Sequence, residues 1–167
     1  MIKNLLIHTD FSIRSLGLLK TALNEHSDQK VNIILGYGYR LSSSISDLLF
    51  LSNRKLIESL TSTEFKEALQ VLQSKYSSQI NELRIEPFTG VNQLAFENYI
   101  SGNAIDEAYL YVGYESTFRG ISGFDIAPMI RKLNAVHKIP FEGATSTAQH
   151  HETLADLFFS KIPGFNR

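Results

Sequence analysis

The chain has 167 residues, with 16 Lys and Arg against 17 Asp and Glu, so its formal net charge is −1. This length fits one domain with a substantial core, and the near-neutral charge gives no long-range field that favours nucleic acid or an anionic membrane surface. The chain contains no cysteine, which excludes disulfides, thiolate metal sites and cysteine nucleophiles.

Targeting segments are not expected either. The opening MIKNLLIHTDF is too short and too polar for a signal peptide, and no run approaches the roughly 20 apolar residues of a membrane span. We therefore expect a cytoplasmic protein that contacts neither membrane nor nucleic acid.

The first part of the chain predicts a β–α–β unit. Residues 2 to 8 are almost continuously apolar, as in a strand covered on both faces of a parallel sheet. Leucines at helical spacing predict a helix from about residue 12 to 26, with Ser12 as its N-cap. Residues 31 to 35 predict a second buried strand, and we expect the GYGY segment at Gly36 and Gly38 to end it as a turn.

The middle of the chain predicts two or three helices and a half-exposed strand. Residues 41 to 60 indicate one or two short helices. Thr61 and Glu64 then fit the S/T-x-x-E capping box, so another helix should begin there. Residues 83 to 88 alternate between apolar and polar, which predicts a strand near an edge of the sheet.

The last part continues the alternation of strands and helices. Residues 94 to 100 predict a helix ended by Gly102 and Asn103, and residues 108 to 112 predict a strand. A helix over residues 126 to 136, with a proline in its first turn, and a strand over 137 to 141 should follow. The resulting order βαβαβαβαβ predicts an α/β fold with a parallel sheet.

The opening segment MIKNLLIHTDFSIRSLGLLKTAL resembles that of the universal stress proteins, where a hydrophobic strand ends in Thr-Asp-Phe-Ser and continues into a helix rich in leucine and alanine. Gly90 before VNQLAFENYI, the spacing into IDEAYLYVGY and the closing IP also agree, so the resemblance covers about residues 1 to 143. It implies a three-layer α/β/α sandwich with a five-stranded parallel sheet, of the class that also contains the adenine nucleotide alpha hydrolases.

The resemblance also implies a homodimer formed through the last strand. We assign residues 1–145 to the universal stress protein-like domain and residues 146–167 to a C-terminal helical tail. Two adjacent phenylalanines in this tail predict that it is covered, either by its own domain or at a dimer contact.

The same family divides into members that bind ATP and members that do not. In the binders, an Asp after the first strand approaches adenine and ribose, and a loop of pattern G-x2-G-x9-G-(S/T) after the fourth strand surrounds the phosphates. Thr9 and Asp10 match the first element, and Gly113 matches the first loop glycine. Ser116 stands where the second glycine belongs, so the match is incomplete.

The remainder of the loop departs further from the binding pattern. Ile126 and Ala127 stand where the pattern has its final Gly and Ser or Thr. Gly123 could nevertheless present backbone amides in a shortened loop. Arg119 is the only cation of the loop and either meets an anion or is solvated, and nearby acidic residues repel phosphate. The candidate nucleotide-binding residues, functional or vestigial, are Thr9, Asp10, Gly113, Ser116, Arg119 and Gly123.

Several side chains have a structural interpretation beside a functional one. Asp10 either contacts a ligand or caps the turn between strand and helix. His8 is either a ligand or catalytic group or a satisfied buried histidine, and tyrosines near strand ends either line a pocket or belong to the core. His8, His137, His150 and His151 lack metal-ligand spacing, so we expect no metal site.

We therefore predict a universal stress protein-like stress-response and interaction module that is homodimeric, not an enzyme, without a cofactor and with an unidentified protein partner. The alternative is binding of an adenine nucleotide, ATP or AMP, through Asp10 and the rewritten Gly113–Gly123 loop. An enzyme acting on a nucleotide phosphate would need a metal site and cationic phosphate contacts that the sequence lacks. The GxSxG, Walker A and GxGxxG signatures are also absent.

Overall fold

A computed structural model describes residues 1–44, 52–117 and 122–141. The strands are β1 (Lys3–His8), β2 (Val31–Tyr39), β3 (Ile80–Phe88), β4 (Glu107–Val112), β5 (Gly123–Phe124) and β6 (Val136–Pro140). The helices are α1 (Ile13–Glu25), α2 (Asn53–Leu60), α3 (Thr63–Lys75), α4 (Gln93–Gly102) and α5 (Ala127–Ile130). Arg119, the predicted tail over 146–167 and part of the predicted 41–60 helical region lie outside the described residues.

The sheet has the strand order β3-β2-β1-β4-β6, and each neighbouring pair in that order is parallel. The short β5 pairs antiparallel with the end of β2. The predicted parallel α/β sheet is confirmed, and so is the edge position of β3. Because the chain runs outward from β1 to β3 and then crosses to β4, the carboxyl ends of β1 and β4 form the switch point where such sheets usually bind ligands.

Two cores lie on opposite faces of this sheet. Leu5 and Ile7 of β1 point into the core with α1, α2 and α3, whereas Leu6 points into the core with α4 and α5. All three side chains are fully buried, which explains why β1 is apolar at successive positions. The predicted three-layer arrangement is therefore confirmed. Among the described helices, none is both long and apolar enough to span a membrane.

The prediction that Gly36 and Gly38 end β2 is wrong, because β2 continues through both to Tyr39. A Cβ atom at Gly36 would lie 2.5 Å from Leu6 Cδ1, and one at Gly38 would lie 2.4 Å from the backbone oxygen of Phe124. These glycines permit close approach of neighbouring chain segments instead of forming a turn.

The predicted capping box at Thr61 and Glu64 is also wrong. Ser62 is the N-cap of α3, and its hydroxyl accepts a hydrogen bond from the backbone N–H of Phe65 over 3.2 Å. Thr61 instead closes α2, because its backbone N–H and its hydroxyl both donate to the carbonyl of Ile57, over 3.0 and 2.7 Å.

The helix predicted over residues 126–136 is shorter than expected and ends at Ile130. The backbone N–H of Ala108 donates to the carbonyl of Ala135 over 3.0 Å, and Val136 is paired with Ala108 in the sheet. The chain is therefore extended by residue 135, and residues 131–135 form turns that connect the short helix to β6. Pro128 lies in that turn, as predicted.

Asparagine side chains form a hydrogen-bonded ladder across three strands. The amide of Asn81 on β3 donates to Asn32 on β2, and the amide of Asn32 donates to Asn4 on β1, each over 2.7 Å. Asn4 in turn donates to the carbonyl of Ala104 over 2.7 Å. The ladder satisfies polar side chains that would otherwise weaken the sheet at this end.

Candidate functional site

The turn from β1 into α1 contains two of the predicted site residues. Phe11 has a φ angle of 61°, which is rare for a residue other than glycine. The hydroxyl of Thr9 accepts the backbone N–H of Phe11 over 3.0 Å and lies 2.9 Å from the hydroxyl of Ser15. Thr9 is 1% exposed, so it stabilises this turn from within the protein.

The carboxylate of Asp10 is enclosed by donors of its own chain. Asp10 is 3% exposed. Its Oδ1 accepts the backbone N–H and the hydroxyl of Ser12 over 3.0 and 2.6 Å. Its Oδ2 accepts the hydroxyl of Tyr114 over 2.6 Å, the backbone N–H of Thr117 over 2.8 Å and the Thr117 hydroxyl over 3.3 Å. Both oxygens are therefore occupied.

These contacts fix the protonation states of Asp10 and Tyr114. Burial alone would raise the pKa of Asp10, but the hydrogen bonds from Ser12, Tyr114 and Thr117 outweigh it and hold that pKa below its usual range. Burial and the hydrogen bond to Asp10 raise the pKa of Tyr114 well above its usual value. Asp10 thus remains an acceptor while Tyr114 remains a donor.

The loop after β4 carries Tyr114 and Thr117 to this position. Gly113, the predicted first loop glycine, begins it with a φ angle of 78°. The ring of Tyr114 packs against Phe141, which follows β6, at a centroid distance of 4.8 Å and against Tyr111 at 5.7 Å. Ser116 is half-buried within the same loop. The loop is thus held both by Asp10 and by aromatic contacts.

His8 at the end of β1 contacts a second acidic residue. Its Nε2 lies 3.0 Å from Asp125 Oδ1, which also accepts the backbone N–H of Ala127 over 2.9 Å. His8 is 4% exposed and is therefore buried, but within the described residues its Nε2 atom has no partner of hydrogen-bond geometry, so the interpretation of a satisfied histidine is not borne out. Burial would raise the pKa of Asp125, but His8 and the Ala127 amide lower it below its usual range.

The structure thus brings Thr9 and Asp10 together with the loop that begins at Gly113. Gly123 lies in β5, where it pairs with Tyr39 of β2. The partners Tyr114 and Thr117 were not predicted from the sequence, since 104 and 107 positions separate them from Asp10. Within the described ranges, no group of three or more His, Asp and Glu side chains is arranged to hold a metal ion.

No family model matches the sequence, and no curated protein matches it. Solved structures do match. Hypothetical protein MJ0577 aligns with 86% of this chain and 99% of its own, at 15% identity and a TM-score of 0.54. The universal stress protein UspA from Lactobacillus plantarum aligns with 83% of this chain and 96% of its own, at 17% identity and a TM-score of 0.50. The chain therefore has the fold of the universal stress proteins, as its first strand and turn predicted.

Proposed function

We propose that this chain is a universal stress protein-like stress-response and interaction module that acts without binding a nucleotide at Asp10. The observation that carries this proposal is the enclosure of the Asp10 carboxylate by Ser12, Tyr114 and Thr117. In the binding members that the sequence resembles, the corresponding Asp faces adenine and ribose. A ribose hydroxyl would here have to displace donors that are already aligned.

The hydrogen bonds from the loop oppose such displacement. A hydrogen bond to a charged group contributes about 1.5–3 kcal/mol to stability. If about 3 kcal/mol favours the closed loop, the apparent affinity for any ligand that requires an open loop falls roughly 100-fold. The contacts of Tyr114 and Thr117 with Asp10 therefore disfavour any ligand that requires an open loop.

We also propose that the module is not catalytic and needs no cofactor. Asp10 and Asp125 are two acidic residues of the described part of the chain that lie near the carboxyl end of the sheet. Both have a pKa below the usual range because donors of the chain surround them. Neither carboxylate is therefore a good proton acceptor near neutral pH.

Homodimerisation in the cytoplasm, with a protein as further partner, belongs to the same proposal. Within the described residues β6 pairs with β4 alone, so one of its edges has hydrogen-bonding groups available to another chain. Sedimentation velocity over a range of protein concentrations tests this part. A single monomeric species at all concentrations would contradict it.

Calorimetric titration with ATP, AMP and adenosine, each with and without magnesium, tests the proposal about nucleotides. The wild-type protein and the Asp10→Ala variant are compared, and circular dichroism checks that the variant is folded. We expect no binding heat from the wild type. Binding by the wild type that Asp10→Ala abolishes would overturn the proposal.

Nucleotide binding after displacement of the loop is a second candidate. It is favoured by the exposure of Thr117 and by the left-handed turn at Gly113, from which the loop begins. Tyr114→Phe separates the two candidates, since it removes the phenolic donor and keeps the ring. Nucleotide binding by this variant, with none by the wild type, would identify Tyr114 as the group that closes a competent cleft.

A further inference from the structure

Five titratable side chains meet at the end of the sheet opposite Asp10. They come from the end of α1, from β4 and from β6, and we call them the amino-end cluster: Glu25, His26, Glu107, Tyr109 and His137. The hydroxyl of Tyr109 donates to Glu25 Oε2 over 2.8 Å and lies 3.2 Å from His26 Nε2. This cluster lies apart from the Asp10 site, and its His137 belongs to the edge strand β6.

His137 on β6 bridges two carboxylates. Its Nδ1 lies 3.2 Å from Glu25 Oε2, and its Nε2 lies 2.9 Å from Glu107 Oε2. A neutral imidazole carries a hydrogen on only one nitrogen, so both contacts are attractive only when the ring is the imidazolium ion. The ring also stacks on Tyr109, at a centroid distance of 4.3 Å and an interplanar angle of 10°.

His26 contacts the same carboxylate from the end of α1. The side-chain amide nitrogen of Gln29 lies 2.8 Å from its Nδ1. An amide donates to an unprotonated ring nitrogen, which places the imidazole hydrogen on Nε2. That nitrogen faces the hydroxyl of Tyr109 at 3.2 Å and Glu107 Oε2 at 3.3 Å. His26 and His137 therefore share one oxygen of the Glu107 carboxylate.

Charged side chains from three elements lie around His137. Glu25 of α1 and Glu107 of β4 face the ring directly, and Lys3 of β1 pairs with the other oxygen of Glu107. Asp28 and Asp106 also interact with the charge of Lys3. The acidic groups here therefore outnumber the basic ones even when His137 carries a positive charge. Loss of the His137 proton would leave two facing carboxylates with a single nearby ammonium group.

We propose that His137 is a proton-dependent clamp that holds the edge strand β6 against α1 and β4. As the imidazolium ion it donates a hydrogen bond to Glu107 and forms an ion pair with Glu25 at once. When the proton is lost, one ring nitrogen presents its lone pair to a carboxylate and one bridge is broken. Since β6 pairs with β4 alone within the described residues, its attachment to the sheet should weaken as the pH rises through the range in which histidines titrate.

Two measurements on the full chain test this proposal. Nitrogen-15 NMR of the imidazoles reports the protonation state of His137, whose signal is assigned from its loss in His137→Gln. Hydrogen exchange, corrected for the intrinsic effect of pH, reports the protection of β6 amides at about pH 6 and about pH 8.5, on either side of the ordinary histidine range. Lys138→Gln is the matched control, because it removes one positive charge from an exposed position of the same strand.

We expect an imidazolium signal from His137 at the lower pH. We also expect β6 protection to fall roughly threefold at the higher pH, the effect of losing one partly exposed ion pair. The Lys138→Gln variant should show the same loss of β6 protection at the higher pH, whereas the His137→Gln variant should show no such loss. A neutral His137 at the lower pH, or an equal fall in wild type and His137→Gln, would overturn the proposal. If His137→Gln does not fold, Glu25→Gln removes one of the two carboxylates instead and should reduce the fall, whereas an unchanged fall would overturn the proposal.

Discussion

The hydroxyl of Tyr114 donates to Asp10 over 2.6 Å, although 104 positions separate the two residues in the chain. The same hydroxyl lies 2.8 Å from the hydroxyl of Ser12, the N-cap of α1. One phenol therefore connects the loop after β4 with the turn after β1 and with the first turn of a helix. Its removal should affect both the stability of the fold and the accessibility of the cleft.

Tyr114→Phe should lower the free energy of unfolding by about 1–3 kcal/mol, because a buried carboxylate loses a donor. Urea unfolding followed by circular dichroism measures this difference. Tyr37→Phe is the matched control, since the buried Tyr37 hydroxyl has no hydrogen-bond partner within the described residues. Equal stability of Tyr114→Phe and the wild type would show that the phenol does not stabilise the turn.

Asp10 should make the stability depend on pH in the acid range. The pKa of Asp10 is lower in the folded protein than the value of about 3.9 in an unfolded chain. Its contribution is therefore present above about pH 4 and is lost as the pH falls through the folded pKa. Asp10→Asn should be less stable than the wild type at neutral pH, and the difference should narrow toward about pH 2. Urea unfolding over a pH series measures it, and parallel curves for the two proteins would contradict the prediction.

Gly38→Ala should destabilise the protein. The added Cβ would lie 2.4 Å from the backbone oxygen of Phe124, so the short strand β5 would have to move. We expect a cost of about 1–3 kcal/mol, which is typical of overpacking. Gly102→Ala is the control, since a Cβ added there would meet no atom within 4 Å and alanine favours a helix by about 0.5–1 kcal/mol. Thermal unfolding should therefore shift in opposite directions for the two variants.

The asparagine ladder leads to a graded prediction. Asn32→Ala should cost about 1–3 kcal/mol, because both Asn4 and Asn81 lose a partner. Asn81→Ala, at the exposed end of the ladder, should cost about 0.5–1.5 kcal/mol because only one bond is lost. Urea unfolding of the two variants measures both. A larger cost for Asn81→Ala would mean that the ladder does not act as a connected unit.

The parts of the fold that the sequence predicts well depend on neighbours in the chain. The apolar run of β1 and the leucine spacing of α1 are local patterns, and Ser12 caps α1 as expected because an N-cap interacts within one helical turn. The predicted capping box is wrong because Thr61 and Ser62 both fit an N-cap, and only the end of α2 at Thr61 distinguishes them.

Features that depend on distant segments do not follow from the sequence. The structural role of Gly38 depends on Phe124, which approaches it only in the folded sheet. For the same reason the sequence predicts the positions of Asp10 and Gly113 but not the donors that surround the carboxylate. A tyrosine beside a loop glycine indicates that an aromatic side chain is available there, without indicating what its hydroxyl will contact.

The left-handed turn at Phe11 has a consequence for the order in which the protein opens. The Phe11 side chain is 5% exposed and packs on Tyr37 and Phe65, at centroid distances of 4.7 and 5.5 Å. The turn can therefore be released only by disturbing the main core. Because Thr117 donates its amide to Asp10, next to Phe11, that amide should exchange with solvent more slowly than a loop amide without such a bond, and faster than amides of the central strands. Opening of the loop should therefore precede release of the Phe11 turn.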